Sequence, residues 1–552
     1  MTRSRTQTPV DLVAEAWADT ELELTPELHV FLGRPGREGQ YTDYSPEGRA
    51  KALEAARTTL AALEATEPLD EIDEVTKVDL ARHLQLSIDQ EEAGLARRNL
   101  NNLASPVQDL RDIFDLVPTE TEEDWAHIAT RLRNVRGAIE GYIATLREGI
   151  ATGTMPARRQ VRIGVEQAEE LAGADSFFTR FVASAPETAS ALTRDLEDGA
   201  REAREAYGAL VEFLREELAP QAPEADGVGR DLYQLASRGF LGAVVDLDET
   251  YEWGVEELRR MAEEQEAIAR EILPGASLEE VIAHLDAEPR YALHGTAALA
   301  DWMQQKSDEA IAALGATHFD IPEPVRRLEC CIAPTQHGGI YYTPPTEDFS
   351  RPGRMWWSVP ADVEQFSTWR ELTTVYHEGV PGHHLQLGQA VYNREQLNTW
   401  RRSTFTSGHG EGWALYAERL MDELGYLQDP ADRLGMLDAQ RLRALRVVLD
   451  IGVHLGKPRL DGTGVWDYDY ALEQMRIHTN MPDSNRVFEV NRYFGWPGQA
   501  PSYKIGERMW LQLREDARRR AGAGWDMKAW HRRALDLGGV GLDTLRWALE
   551  RS

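Results

Sequence analysis

YHEGVPGHHLQ, residues 376–386, is the stretch on which the reading of this chain turns. Fourteen histidines in 552 residues predict fewer than one in a 33-residue window, yet residues 377–409 hold four: His377, His383, His384 and His409. His377-Glu378 has the form that opens a zinc-hydrolase helix, where a histidine four residues on shares the first one's face and the glutamate serves as base. Position 381 is a proline, so that spacing fails. On an ideal helix His384 lies near the face of His377 but about 10 Å further along the axis, and His383 is turned away by about 120°. Pro381 interrupts such a helix. Its ring removes an N–H and frees the carbonyl of His377, and permissive Gly382 follows. Two outcomes are open here. A two-residue bulge swings His383 back beside His377, or the helix ends at Gly382 and His383 and His384 serve as polar caps.

Downstream, SGHGEGWALYAE (residues 407–418) predicts a helix starting near Gly410 with Glu411 in its first turn. Zinc hydrolases with two histidines commonly take a carboxylate from a separate helix and keep a position open for water. Glu411 has the right place for that ligand. Glu418, seven residues on, faces the same way and can orient a ligand histidine. The alternative is that both are ordinary helix-surface carboxylates, the usual fate of Glu.

Upstream, Leu328–Ile332, Gly339–Thr343 and Met355–Val359 are short runs of β-formers, punctuated by Pro334, Gly338, Pro344, Pro345, Pro352 and Gly353. They predict a small antiparallel sheet over 316–360. The vicinal Tyr341-Tyr342 and Trp356-Trp357 pairs read first as core and sheet-face residues; an exposed edge there could add a peptide strand. Helix resumes near Ala361, after Pro360, and continues as a helical metal-site lobe over 361–552. Residues 1–315 form a mainly helical lobe. Apolar residues recur at three- and four-residue spacing, as in Leu80, Leu84 and Ile88 or Ile128, Leu132, Val135 and Ile139. Phe31–Tyr44 is a Gly/Pro-rich surface loop, and the charge run Glu256–Glu271 is a solvated helix face. With no internal repeat and no low-complexity linker, the lobes share one catalytic unit.

Lys and Arg number 60 against 93 Asp and Glu, a net charge of −33, which argues against nucleic acid or an anionic membrane surface as partner. A 42% hydrophobic content with 28% charged residues excludes a disordered chain. No stretch approaches the roughly 18 apolar residues of a membrane span, and residues 1–20 lack a signal-type apolar run. The two cysteines, Cys330 and Cys331, are adjacent, which excludes a disulfide framework. The expected location is the cytoplasm.

YHEGVPGHHLQ, GEGWALYAE, LDIGVH (449–454) and EVNRYFGWPGQAPSYKIG (489–506) resemble, in that order, motifs of the large bacterial domain-of-unknown-function 885 family. The resemblance covers at least 376–506. That family is similar in layout to helical zinc peptidases of the neurolysin, angiotensin-converting-enzyme and thermostable-carboxypeptidase groups. It implies a gluzincin-like metal hydrolase acting on peptides. It also implies His383 over His384 as ligand, because the histidine directly after Pro-Gly is the more constant of the two in the family.

The later motifs supply further candidates. Asp450 and His454, at i,i+4 on a helix, can meet and fix the histidine's tautomer, or form a satisfied buried pair. Tyr503 follows a tight turn and can donate to the oxyanion of a tetrahedral intermediate. Arg476, Arg486, Arg492 and Lys504 concentrate positive charge, which suits an anionic substrate end or surface ion pairs. The expectation assembled from these parts is a mainly α protein with a small sheet beside a deep cleft. One zinc per chain is held by His377, His383 and Glu411, with His384, Glu418 and Asp450 as supporting or alternative ligands. Glu378 is the general base, Tyr503 or His454 steadies the oxyanion, and Arg492 and Lys504 bind substrate, a short peptide or small amide. The rival readings are a metal-dependent C–N hydrolase or lyase acting on a small metabolite, and a catalytically silent helical binding protein. Oligomeric state is left open.

Overall fold

A computed structural model describes residues 5–187, 190–333 and 339–551; Pro334 and Gly338 of the strand punctuation lie outside the described residues. Helix dominates because long stretches combine good helix formers with caps and a one-sided apolar stripe. Glu122–Thr152 begins at a capping box between Thr121 and Asp124 and ends where Gly153 turns left-handed. It buries Ile128, Leu132, Val135 and Ile139 against Ser190–Phe213, which gives residues 100–222 an apolar cluster of their own. Glu71–Glu92, capped by Asp70, turns Leu80, Leu84 and Ile88 toward Pro9–Leu24 and Pro46–Glu64. The largest cluster runs through the rest of the chain and includes the packed pair Leu247–Ile272 and Pro430–Leu455.

Among the described residues five short strands interrupt the helices: β1 (Ala292–His294), β2 (Leu328–Ile332), β3 (Ile340–Thr343), β4 (Gly353–Trp357) and β5 (Gln365–Ser367). The three-stranded sheet has the order β2-β4-β3, with β3 antiparallel and β2 parallel to β4. The expected all-antiparallel sheet is therefore mixed. Local turn residues specify a β3–β4 hairpin but not which edge β2 takes, nor its direction. Helix also resumes later than expected, at Thr368 and not near Ala361, because Gln365–Ser367 pairs with the distant Ala292–His294. Along β4, Met355 and Trp357 turn inward while Trp356 stacks on Tyr341 on the other face, the period-2 alternation of a half-buried strand. The buried face of this sheet supports the helix that carries His377.

Candidate metal centre

His377 lies in the last turn of Thr368–Glu378, and His383 opens the next helix, His383–Tyr392. Residues 379–382 between them are not helical, and the Val380–Pro381 peptide is cis. The helix thus ends before Pro381, neither continuing through a bulge nor running on to Gly382, and the break itself brings the two imidazoles together. Gly382 is required by this turn, since a Cβ there would stand 1.8 Å from the carbonyl oxygen of His377. Glu411 comes from Ser407–Glu423, which starts three residues before the expected Gly410, so Glu411 sits in the second turn. That helix meets Ser502–Ala521 backbone to backbone: a Cβ on Gly412 would come within 2.5 Å of the carbonyl carbon of Gly506.

The His377 and His383 rings are 4.9 Å apart and perpendicular. Glu411 Oε2 lies 3.3 Å from His377 Nε2 and 3.5 Å from His383 Nε2. One donor atom from each of the three side chains falls within 4.8 Å of the others. A tetrahedral ion with arms of about 2.0–2.2 Å needs donor spacings of roughly 3.3–3.5 Å, and the two nitrogen–oxygen distances match those of a zinc-sized cation. Burial opposes charge on His377, but Glu411 and Glu418 outweigh it and push its pKa up to about 10. Burial likewise works against the Glu411 carboxylate, and His377 and His383 outweigh it to hold that group below the usual carboxylate range. The buried Glu418 and the half-buried Glu411 thus place two carboxylates around one imidazole.

Glu418 Oε1 accepts a 2.7 Å hydrogen bond from His377 Nδ1–H, which leaves Nε2 directed at Glu411. Its other oxygen accepts from Thr373 at 2.8 Å and from the Gln440 amide at 3.3 Å. Lys504 donates to Gln440 Oε1 at 2.7 Å. A buried line of contacts therefore runs from Lys504 to His377. Glu378 Oε2 is buried without a partner among the described residues, and burial raises its pKa. His383 Nδ1 likewise has none.

The remaining candidates separate from the donors. His384 lies between Tyr342, whose hydroxyl is 2.9 Å from Nδ1, and the Val325 carbonyl, 2.7 Å from Nε2; burial pushes its pKa down to about 4. It is a neutral structural histidine that ties the sheet to the metal helices. His409 stacks on Trp510. Asp450 and His454 do not bond each other: Asp450 accepts from Tyr233 and the Gly498 N–H, while His454 Nε2–H donates to the Tyr493 carbonyl. The expected mutual fixing of the tautomer is thus corrected, since longer-range partners take both groups. Tyr503 is half-buried, its hydroxyl has no partner among the described residues, and Arg446 lies 5.1 Å from its ring. Burial first, and then the charge of Glu411, raise its pKa, which keeps it a hydrogen-bond donor near the centre. Arg492 spends its terminal nitrogens on Glu489 and Gln499. Lys504, only 2% exposed, is ion-paired with Glu507 and Glu257. Neither cation is free for a substrate carboxylate, which corrects that expectation.

Sequence reasoning missed Trp413 and Gln440. Trp413 Nε1–H is 2.8 Å from the carbonyl of Pro381 and 3.2 Å from that of Gly382, so the residue two after Glu411 fixes the break. Its place inside GEGW was the available signal. Gln440 lies outside every quoted motif.

The sequence model of a family described as "Bacterial protein of unknown function (DUF885)" matches residues 26–549. Among solved structures, the chain is similar to a candidate lipoprotein from Colwellia psychrerythraea, at 21% identity and TM-score 0.82 over 99% of each chain. It is also similar to a candidate lipoprotein of unknown function from Shewanella oneidensis, at 17% identity and TM-score 0.74 over 98% of this chain and 99% of that one. Pyrococcus furiosus carboxypeptidase in its apo-Mg form aligns over 99% of each chain at 11% identity, but its TM-score of 0.40 carries no argument. No curated protein matches the chain in sequence. The cytoplasmic expectation is corrected by the first two: their description as lipoproteins points to membrane-anchored proteins. No helix among the described residues is long and apolar enough to cross a membrane.

Proposed function

The chain belongs to the bacterial DUF885 family, and we propose that it is a zinc-dependent hydrolase cleaving peptide or peptide-like amide bonds in short substrates. The observation that carries this reading is the His377, His383 and Glu411 donor set, its atoms within 4.8 Å of one another, with the unpartnered Oε2 of Glu378 next to it in the chain. Bound there, zinc would polarise the scissile carbonyl and lower the pKa of a water molecule. Glu378 takes the proton of the attacking water and returns it to the leaving amine; its raised pKa suits both transfers. Glu418 and Thr373 hold the His377 ring in the tautomer that keeps Nε2 toward Glu411. Tyr503 donates its free hydroxyl to the developing oxyanion. The substrate lies extended along the edge of β3 that β4 leaves open, where Tyr342 reaches His384 beside the metal pair.

The test is a short-peptide library digested by the purified protein, with and without 1,10-phenanthroline. Cleavage that stops with the chelator and returns on adding zinc supports the proposal. A metal-loaded protein that cleaves no peptide but does cleave a small-metabolite C–N bond would replace the peptide reading with that alternative.

A further inference from the structure

We propose that the cavity between residues 95–104 and 155–160 on one side and 223–240 and 494–497 on the other binds a small organic anion with a flat apolar body. The cavity has a volume of about 550 Å³, within the range of roughly 300–1,000 Å³ for small-molecule sites. None of the metal donors or their hydrogen-bond partners lines it. Leu232 and the rings of Phe240 and Trp496 supply apolar wall, the two rings meeting edge to face at 5.5 Å.

Two side chains on this wall carry polar atoms without partners among the described residues. The Arg98 guanidinium makes no hydrogen bond and no ion pair among the described residues, and its Nε is buried. Burial and the neighbouring Arg97 both work against its charge. Arg97 is paired with Glu148 at 3.3 Å and offers no relief. Asp226 is the single acid on the wall, and Arg159 holds it through contacts of 3.1 and 3.3 Å. In a chain of net charge −33, an arginine left without a counter-charge is the anomaly to explain. The second group is Gln160, only 1% exposed: its Nε2 donates to the Asn491 carbonyl at 3.0 Å while Oε1 has no donor. Leaving such groups unmet costs stability, and a ligand can meet both.

Their chemistry defines that ligand. A carboxylate, sulfonate or phosphate pairs with the planar fork of Arg98. An N–H or O–H on the same molecule meets Gln160 Oε1, and an aromatic body lies against Phe240 and Trp496. The site stands independently of the metal centre and its proposed chemistry.

The experiment is an equilibrium titration of the full chain with 1-anilinonaphthalene-8-sulfonate, an aromatic anion carrying an N–H, followed by probe emission. One saturable site per chain is expected. Arg98→Ala should weaken it about tenfold or more, the scale of one charge-assisted contact, and Arg98→Lys should fall between the two. Leu232→Trp fills the cavity and should remove binding without touching the arginine. Uncharged N-phenyl-1-naphthylamine should bind about tenfold or more weakly. Melting curves close to that of the unaltered protein establish that each variant is folded. Absence of saturable binding, unchanged affinity in both Arg98→Ala and Leu232→Trp, or equal affinity for the uncharged probe would overturn the proposal.

Discussion

At Glu378 the carboxyl is buried beside His377, His383 and Glu411 with one oxygen unpartnered, an arrangement that costs stability and that, in the proposed mechanism, would serve proton transfer. Glu378→Gln keeps the shape and removes the base. Metal content should stay at the unaltered level while turnover on a cleaved peptide falls by about 10² or more. Near-normal turnover would take Glu378 out of the mechanism. Asp450 behaves differently. Burial pushes its pKa up to about 7, while its bonds to Tyr233 and Gly498 pull the other way. The folded value lies above the unfolded one near 3.9, so the associated stability is complete below about pH 4 and is lost as pH rises through 7. Asp450→Asn can accept the same two bonds and cannot ionise. Its stability relative to the unaltered protein should rise between about pH 4 and 7, by an amount on the order of a few kcal/mol, and then level off. Melts across that range check it; a pH-independent difference contradicts it. At this scale the sequence was most legible where chemistry is local. His377, Glu378, Pro381 and Gly382 stand within six positions. The duties of His384 and Asp450 were not legible, because Val325, Tyr342 and Tyr233 arrive from distant segments.

Between elements, the decisive feature is a helix that stops, turns through four residues and restarts. Trp413 holds the carbonyls of that turn, and Gly382 admits the carbonyl of His377. Gly382→Ala cannot keep this path. It should lower thermal stability by more than about 2 kcal/mol and leave metal content well below one per chain, as melting and elemental analysis would show. Glu418→Gln should weaken metal binding by about 10–100-fold with the fold kept, because it removes the charge that steadies His377. Competition with a chelating dye measures this; an unchanged affinity would make Glu418 a packing residue only. The bounds Leu328–Ile332 could be read from the sequence because β-branched and cysteine residues there are bracketed by turn formers. The β1–β5 pair and the start of Ser407–Glu423 could not, since each is set by what packs against it and not by its own composition.

Over the whole molecule, one apolar cluster carries every metal donor's helix, while the clusters of the N-terminal helices stand beside it. The mainly helical class followed from helix-forming composition and apolar periodicity, and the Colwellia relative shows the same fold along nearly its full length. A cavity lies between segments far apart in sequence, with Arg98 on its wall, and no motif announced it. The central claim concerns the three donors, because base, oxyanion donor and substrate strand all take their meaning from a cation there. It is tested most directly by elemental analysis of protein purified without chelator or histidine tag, beside a His377→Ala, His383→Ala double variant. One zinc per chain is expected in the unaltered protein and almost none in the double variant. Full metal content in the folded double variant, or none in either protein after incubation with zinc, would contradict it.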